Sequence, residues 1–294
     1  MSAVTPWVVG ARPRTLPAAI SPVIAGTGAA AAVGSAVIPR ALLALVVALA
    51  LQVGVNYAND YSDGVRGTDD SRIGPLRLVA SGLAGPRSVL AAAWLAFGIA
   101  AVAGLVLVVL SQQWWLLAVG AVAIAAAWYY TGGERPYGYR GFGEVSVFLF
   151  FGLIAVVGTT YVQVGRVTAS SVIAGVAVGA LASALLLANN LRDAPTDAVT
   201  GKRTLAVFLG SRRTRLLYLL LVAVAYGLAL ALAFGGRGWA WLAWLSVPLA
   251  VKAALPIVRR ARGADLIPVL RDTGLTELAY AILLAIGLAL TAPA

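Results

Sequence analysis

Two groups of carboxylate and amide side chains each close a long apolar stretch of the chain. Their members are Asn56, Asn59, Asp60 and Asp63 in the first stripe, and Asn189, Asp193 and Asp197 in the second stripe. Residues three or four positions apart share one face of a helix, so each group forms a polar stripe. Mg²⁺ binds one or two carboxylates and completes its shell with water and phosphate oxygens. The two stripes therefore predict a magnesium–diphosphate site.

Basic residues follow the second stripe in a loop that contains glycine. Lys202 and Arg203 come directly after Gly201. Lys provides a compact charge and Arg a bidentate one, and both stabilise a departing diphosphate. The structural alternative is that the stripes are turn residues at helix exits and that the bases only anchor the chain at the membrane surface.

Two further segments carry polar and aromatic residues. The segment from Tyr129 to Glu144 is rich in Gly and Tyr; within it Tyr130 can line an aromatic pocket and Arg140 can meet an acidic substrate group. Near the N-terminus, Arg12 and Arg14 are either membrane anchors or contacts to a substrate carboxylate. Aromatic residues are also common at membrane interfaces without any catalytic role.

The composition is that of an integral membrane protein. Of the 294 residues, 61% are hydrophobic and only 11% are charged, and the mean hydropathy is +0.91. The chain has no Cys and no His, which excludes disulfides, thiolate nucleophiles, His–zinc sites and Ser-His-Asp triads. The net charge of +11 does not predict nucleic-acid binding, because the bases lie in short loops between apolar stretches.

Nine apolar stretches approach the length of about 20 residues that a bilayer-spanning helix needs. They lie near 16–37, 41–60, 88–110, 114–131, 144–164, 169–190, 215–234, 239–257 and 275–292. We therefore expect an all-α polytopic membrane bundle of nine transmembrane helices. Residues 1–294 are expected to form a single transmembrane domain.

The loops between these stretches differ strongly in basic residues. One set of alternate loops, with the N-terminus, contains eighteen: Arg12, Arg14, Arg66, Arg72, Arg77, Arg87, Arg135, Arg140, Arg192, Lys202, Arg203, Arg212, Arg213, Arg215, Arg259, Arg260, Arg262 and Arg271. The other set contains only Arg40, Arg166 and Arg237. By the positive-inside rule, the N-terminus and both stripes are cytoplasmic and the C-terminus is outside, in the cell inner membrane.

Five motifs resemble the UbiA superfamily of intramembrane aromatic prenyltransferases or one of its branches. The two stripes contain Asn59-Asp60-x-x-Asp63 and Asp193-x-x-x-Asp197, which are similar to the superfamily's paired acidic motifs. Three further motifs resemble the branch of the superfamily that prenylates 1,4-dihydroxy-2-naphthoate. They are Arg12-Pro-Arg-Thr-Leu-Pro17, Tyr130-Thr-Gly-Gly133 and Gly141-Phe-Gly-Glu144. Gly67 stands where another Asp is common in the superfamily, and the next acid is Asp69, so the roles of Asp69 and Asp70 stay open.

The resemblance implies a helical bundle around a central cavity that opens laterally to lipid. It also implies a Mg²⁺-dependent transfer of a polyprenyl group from an allylic diphosphate to 1,4-dihydroxy-2-naphthoate, with loss of carbon dioxide, to give demethylmenaquinol for menaquinone. The implied metal ligands are Asn59, Asp60, Asp63, Asp69, Asp193 and Asp197, and the implied catalytic residues are Asp60, Asp63, Asp193, Asp197 and Lys202. The implied substrate-binding residues are Arg12, Arg14, Asn56, Tyr130, Arg140, Asn189, Asn190 and Arg203.

Two alternatives stay open at this point. The first keeps the fold and changes the acceptor to 4-hydroxybenzoate, homogentisate, haem, chlorophyllide or a glycerol phosphate. The second is a membrane transporter that uses the acidic stripes to bind its cargo. A transporter is expected to carry acids near the middle of a span or a broken helix, and the sequence shows neither. Prenyl chain length and oligomeric state do not follow from the sequence.

Overall fold

The computed structural model of the chain describes residues 4–68 and 77–292, and these residues form helices joined by turns. The α-helices are α1 (Val4–Gly10), α2 (Pro17–Ala31), α3 (Ile38–Arg66), α4 (Pro86–Ser111), α5 (Leu116–Tyr129), α6 (Gly143–Val147), α7 (Ala155–Val164), α8 (Ala169–Val199), α9 (Leu205–Phe234), α10 (Val247–Val258) and α11 (Ile267–Ala289). Shorter elements are the 3-10 segments Pro13–Thr15, Tyr137–Arg140, Gly238–Ser246 and Gly263–Leu266, and the π-helix Phe148–Ile154. The all-α prediction is confirmed.

Seven helical stretches within residues 4–68 and 77–292 are long and apolar enough to cross a membrane. They are Ile38–Arg66, Pro86–Ser111, Gly143–Val164, Ala169–Val199, Leu205–Phe234, Gly238–Val258 and Gly263–Ala289. The chain is therefore a multi-pass membrane protein. Helices α2 and α5 are apolar but have only 15 and 14 residues. At 1.5 Å per residue they measure about 22 Å and 21 Å, less than the bilayer core of about 30 Å, so nine full-length spans are not confirmed.

The two stripes lie on helices, as their spacing predicted. The apolar spans were expected to end near residues 60 and 190, and the helices α3 and α8 continue beyond them to Arg66 and Val199. Helix α3 stops at Gly67, whose φ of 72° is left-handed and favours glycine. Helix α8 begins at Thr168, whose side chain forms a capping box with Ser171. Both stripes therefore occupy the last turns of long helices.

Helix α8 is the centre of the bundle and is packed on small residues. Its buried face includes Gly175, Gly179 and many Ala, and it contacts α2, α9, α11 and the π-helix. A Cβ added to Gly152 of the π-helix would lie 2.5 Å from the Cα of Gly179, so the two backbones touch directly. Small residues allow this close approach in membrane bundles, where dispersion contacts replace the hydrophobic effect. The tight contact fixes the π-helix against α8.

The segment between α5 and α6 is held across the end of α3. The guanidinium of Arg66 donates hydrogen bonds to the carbonyl oxygens of Thr131 and Gly133. The amide of Arg203 donates to the carbonyl oxygen of Tyr139 at 2.9 Å, which ties the same segment to the loop after α8. These contacts gather the ends of α3 and α8 and the Tyr-rich segment around one space.

Candidate active site

Both stripes reach the same cavity, which has a volume of about 420 Å³. From the first stripe, Asn56, Asn59 and Asp63 line it; from the second, Asn189, Asp193 and Asp197 do, together with Asn190. Lys202, Arg12 and Tyr130 complete its polar end. The structure thus brings together two acid-bearing segments that are more than a hundred residues apart in sequence, as the spacing predicted.

Asp63 is the centre of the charged network. Its Oδ1 lies 3.3 Å from the Nζ of Lys202, and its Oδ2 lies 3.6 Å from a guanidinium nitrogen of Arg77. The hydroxyl of Tyr139 also donates to Oδ1, and Lys202 stands 4.6 Å from the centre of the Tyr139 ring. Two cations thus face one buried carboxylate. Such an arrangement suits a ligand that brings further negative charge, because each cation can contact that ligand as well as Asp63.

Tyr139 is a proton donor in this network and not a base. Burial raises the pKa of its hydroxyl, and the negative charge of Asp63 and the hydrogen bond to it raise the pKa further. The phenol therefore keeps its proton at neutral pH. Its hydroxyl fixes the orientation of the Asp63 carboxylate.

Arg192, which lies on α8 among the residues of the second stripe, donates hydrogen bonds to two of them. Its Nε lies 2.6 Å from Oδ1 of Asp193, and a terminal nitrogen lies 2.7 Å from Oδ2. The same nitrogen also donates to Oδ1 of Asn189 at 2.9 Å. A bidentate pair of this kind is strong and directional. Asp193 and Asn189 are therefore oriented by Arg192, whereas Asp197 lies one turn further along the same cavity wall.

Asp60 was expected to bind metal, and the structure corrects this prediction. Its carboxylate is fully buried and accepts the backbone amides of Leu78 and Val79 at 2.9 and 3.0 Å. It does not line the cavity. On a helix, consecutive residues are rotated by about 100°, so Asn59 and Asp60 cannot face the same point. Asp60 anchors the chain around residue 78 to α3.

The N-terminal segment packs on the first stripe through hydrogen bonds. The amide nitrogen of Asn56 donates to the Ala11 carbonyl at 2.9 Å and to the Thr15 hydroxyl at 3.1 Å, and Gln52 donates to the same hydroxyl at 2.9 Å. Arg12 has a left-handed φ of 54° and lines the cavity. Asn56 thus holds the segment that brings Arg12 to the site, and its amide nitrogen is used in doing so.

Three predicted substrate-binding arginines lie outside the cavity. Arg14, Arg140 and Arg203 are exposed and do not line it. Each side chain extends towards the surface because its neighbours, Thr15, Tyr139 and Lys202 or Thr204, occupy the inward positions. These three predictions are corrected to surface positions. Asp69, predicted to bind metal, and its neighbour Asp70 lie outside the described residues.

Several residues at the site had no assigned role in the sequence analysis. Arg77 counted only as a cytoplasmic base, Tyr139 was one of many tyrosines, and Glu144 belonged only to a motif. Thr15 belonged only to the motif that begins at Arg12, and Gln52, which lies one turn before Asn56 on α3, was not included in the first stripe. A buried Glu at the start of a span was a usable signal, since acids within spans are usually functional.

The donor set fits magnesium that is shared with a ligand, and does not fit a metal site made by protein alone. In the part of the chain that the structure describes, no three acidic side chains converge on one point. Asp63, Asp197 and Asn59 instead line separate parts of the walls of one cavity. Mg²⁺ accepts few protein ligands and keeps waters and phosphate oxygens. Asn189 and Asp193 fit less directly, because Arg192 donates to the side-chain oxygen of Asn189 and to both oxygens of Asp193.

The rest of the cavity is apolar and runs deep into the bundle. Beyond the stripes its walls are formed by side chains of α4, α5, the π-helix and α7, among them Leu107, Leu116, Phe150, Phe151 and Ile154. Helix α5 has no buried residue, so on this side no second layer of helices covers the cavity wall. The cavity therefore offers a polar end for charged groups and an apolar remainder for a hydrocarbon.

Comparison with known proteins gives consistent findings. Residues 19–269 match the model of the UbiA prenyltransferase family. The 1,4-dihydroxy-2-naphthoate octaprenyltransferase of Mycobacterium tuberculosis is 57% identical over 289 residues, which cover 98% of each chain. The solved apo structure of a UbiA homologue from Aeropyrum pernix is similar with a TM-score of 0.69 at 16% identity, covering 92% of this chain and 96% of that one.

A second solved structure, a UbiA homologue from Archaeoglobus fulgidus bound to DMAPP and Mg²⁺, has a TM-score of 0.67 at 14% identity. The match covers 97% of this chain and 99% of that chain. At such low identity, the two solved structures show a shared fold.

Proposed function

The chain belongs to the UbiA prenyltransferase family, and we propose that its acid-lined cavity is where a polyprenyl group passes from an allylic diphosphate to 1,4-dihydroxy-2-naphthoate. Prenyl transfer to this acceptor, a step of menaquinone biosynthesis, is the activity for which its relative of 57% identity is named. The chain is accordingly a membrane-embedded prenyltransferase. The observation that carries the proposed site is the meeting of both stripes with Lys202 in one cavity.

The diphosphate group is assigned to the space between Asp63 and the second stripe. Lys202 and Arg77 both approach Asp63, so their positive charges lie where phosphate oxygens would enter. As the bond between the allylic carbon and the diphosphate oxygen breaks, negative charge accumulates on the leaving group. Fixed cations at that point stabilise the transition state more than the ground state.

Magnesium is the proposed cofactor, with Asp63, Asp197 and Asn59 as its candidate ligands, and with Asn189 and Asp193 as ligands once Arg192 releases them. When bound, the ions would neutralise the diphosphate and so promote ionisation of the allylic donor. Asp60 is not part of the proposed ligand set, because two backbone amides occupy its carboxylate.

The apolar part of the cavity is assigned to the polyprenyl chain. Phe150 and Phe151 project from the π-helix into this part, and Leu107 and Leu116 lie further from the stripes. An apolar wall excludes water, which would otherwise capture the allylic cation. The aromatic faces can also stabilise positive charge that develops near them.

The acceptor ring is assigned to the polar end, beside the allylic carbon. The electron-rich ring attacks through the carbon that bears the carboxylate, forming the new carbon–carbon bond. The bond to the carboxylate then breaks, carbon dioxide leaves, and its electron pair restores the aromatic ring. Arg12, which lines the cavity, is the proposed partner of the carboxylate before it leaves.

The arrangement in the membrane is likewise proposed. Residues 1–294 form one transmembrane domain in which the short α2 and α5 complete a nine-helix bundle in the cytoplasmic membrane. The distribution of eighteen bases against three supports a cytoplasmic N-terminus and active site and an outside C-terminus.

An assay of purified protein tests this function. A labelled polyprenyl diphosphate and Mg²⁺ are supplied with 1,4-dihydroxy-2-naphthoate, 4-hydroxybenzoate or homogentisate in turn. We expect prenylated, decarboxylated product from naphthoate only, and a loss of at least about 100-fold in turnover for Asp63→Ala and Asp197→Ala. Asp265→Ala, which changes an exposed acid outside the cavity, is the matched control. Product from hydroxybenzoate but not from naphthoate would overturn the acceptor assignment.

A further inference from the structure

Asn190 lines the cavity, and Glu144 holds its amide from behind. The Nδ2 of Asn190 donates to Oε1 of Glu144 at 2.8 Å, and the two residues are only 7% and 5% exposed. A carboxylate oxygen accepts hydrogen bonds, so this contact fixes the amide with its nitrogen towards Glu144. The carbonyl oxygen Oδ1 is then the end of the side chain that is left for the cavity.

The backbone of Glu144 is held in place by the packing of α6 on α8. It lies in the first turn of α6, where the helix dipole favours a negative charge, and its backbone carbonyl accepts the Ser183 hydroxyl of α8 at 3.1 Å. The preceding residue, Gly143, allows this close packing. A Cβ at Gly143 would lie 3.1 Å from the Tyr130 hydroxyl and 3.3 Å from Leu186. The orientation of the Asn190 amide therefore follows from the packing of α6 on α8.

On the cavity side, Oδ1 of Asn190 accepts no hydrogen bond from any residue that the structure describes. Tyr130 lines the same cavity, and its hydroxyl lies close to Gly143, the residue before Glu144. The cavity lining here therefore contains one hydrogen-bond acceptor, Oδ1 of Asn190, and one hydroxyl, that of Tyr130.

A carbonyl oxygen that faces the cavity limits which groups can bind beside it. It repels phosphate and carboxylate oxygens, and it accepts a hydrogen bond from a hydroxyl. The cation-rich side around Lys202 and Arg77 has the opposite preference. The two walls therefore sort the two ends of the reaction, the anionic leaving group on one side and a hydroxylated ring on the other.

We propose that Oδ1 of Asn190 accepts a hydrogen bond from a ring hydroxyl of the aromatic acceptor, and that Glu144 is the positioning residue that keeps the amide in this orientation. The inference rests on the proposed function and deepens it by assigning the recognition of the acceptor. A hydroxyl that donates to Asn190 places more electron density on the ring that attacks the allylic carbon. The oxidised, quinone form presents a carbonyl oxygen instead and is rejected.

The first test uses wild-type protein and two monomethyl ethers of 1,4-dihydroxy-2-naphthoate, each lacking one hydroxyl donor. Losing a hydrogen bond of about 1.4 kcal/mol corresponds to a factor of ten. We expect the KM of one ether to rise about tenfold or more, with the KM of the prenyl diphosphate unchanged. If both ethers have the same KM as the parent compound, the proposal is wrong, whatever result any variant gives.

The second test uses Glu144→Gln. The new amide can present either its nitrogen or its oxygen to Asn190, so the Asn190 amide can flip by 180°. We expect a higher KM for the naphthoate, an unchanged KM for the prenyl diphosphate and an unchanged Mg²⁺ requirement. The variant should also lose the discrimination between the parent compound and the sensitive ether. A merely structural role for Glu144 would lower kcat or stability without removing that discrimination.

Other results would separate this inference from its premise. A raised Mg²⁺ requirement in Glu144→Gln, with the acceptor KM unchanged, would identify Asn190 as a metal ligand and overturn the inference alone. Absence of any naphthoate prenylation by the wild-type protein would refute the proposed function instead. Should Glu144→Gln fail to fold, the ether comparison in wild-type protein still decides.

Discussion

Asp60 and Asp63 are neighbours on α3, but their surroundings assign them different tasks. Asp63 lines the cavity and meets Lys202, Arg77 and Tyr139, whereas Asp60 is buried against the amides of Leu78 and Val79. The two side chains leave α3 in different directions, and only that of Asp63 points towards the cavity. One acid of the motif therefore faces the cavity where we propose the reaction takes place, and the other holds the loop in which Arg77 lies.

Replacing each acid with its amide should separate these tasks. Asp60→Asn keeps one acceptor oxygen, so one of the two buried amides loses its partner, which costs about 1–3 kcal/mol. We expect a lower thermal unfolding midpoint in detergent and an unchanged Mg²⁺ concentration for half-maximal activity. Asp63→Asn should keep the midpoint within a few degrees and lose at least about 100-fold in turnover. A raised Mg²⁺ requirement in Asp60→Asn alone would contradict the assignment.

Lys202 is the cation closest to Asp63, and its removal should act on the diphosphate alone. In Lys202→Met the stem is retained while the charge is lost, so the leaving group loses one stabilising contact. We expect kcat to fall by about 100-fold or more with the KM of the naphthoate unchanged. Arg212→Met, at an exposed position of α9, is the matched control. Equal losses in the two variants would point to general surface charge instead of a contact at the site.

At the scale of the elements, hydrophobic periodicity predicts which segments are helices but not how they meet. The stripes at 56–63 and 189–197 were visible because one face of a helix repeats every three to four residues. Arg77 could not be predicted, because it reaches Asp63 from a loop, where no periodic pattern exists. Length also misleads: the stretch 16–37 is apolar throughout, but the helix ends at Ala31, and Gly34 turns with a φ of 71°.

The π-helix is the least predictable element and depends on one glycine contact. A Cβ at Gly152 would meet the Cα of Gly179 at 2.5 Å and the carbonyl oxygen of Gly175 at 2.7 Å. Gly152→Ala should therefore force the π-helix away from α8, at a cost of about 1–3 kcal/mol, and displace Phe150 and Phe151 in the cavity. Thermal unfolding in detergent and the KM of the prenyl diphosphate measure both effects. Gly227→Ala on α9, where a Cβ meets nothing within 4 Å, should leave both unchanged.

At the scale of the whole molecule, the polar residues of the cavity lie at the end of the bundle where α3 and α8 end. Both stripes close the C-terminal ends of their helices, α3 and α8, and both reach one cavity. Two helices whose C-terminal ends share a site must cross the membrane in the same direction. One set of alternate loops, which includes the loops after α3 and α8, holds eighteen of the bases in the sequence, and this excess supports our proposal that the direction is outside to inside.

This orientation can be measured directly, because the chain contains no cysteine and any introduced thiol is unique. Val167 lies exposed between α7 and α8, at the end with few bases, and Ala264 lies exposed after α10, at the basic end. In intact cells a membrane-impermeant maleimide should label Val167→Cys and spare Ala264→Cys, and lysis should expose the second site. Both variants should retain prenyl transfer, since neither residue lines the cavity. Labelling of Ala264→Cys in intact cells would put the acid-lined end outside and separate it from a cytoplasmic supply of diphosphate.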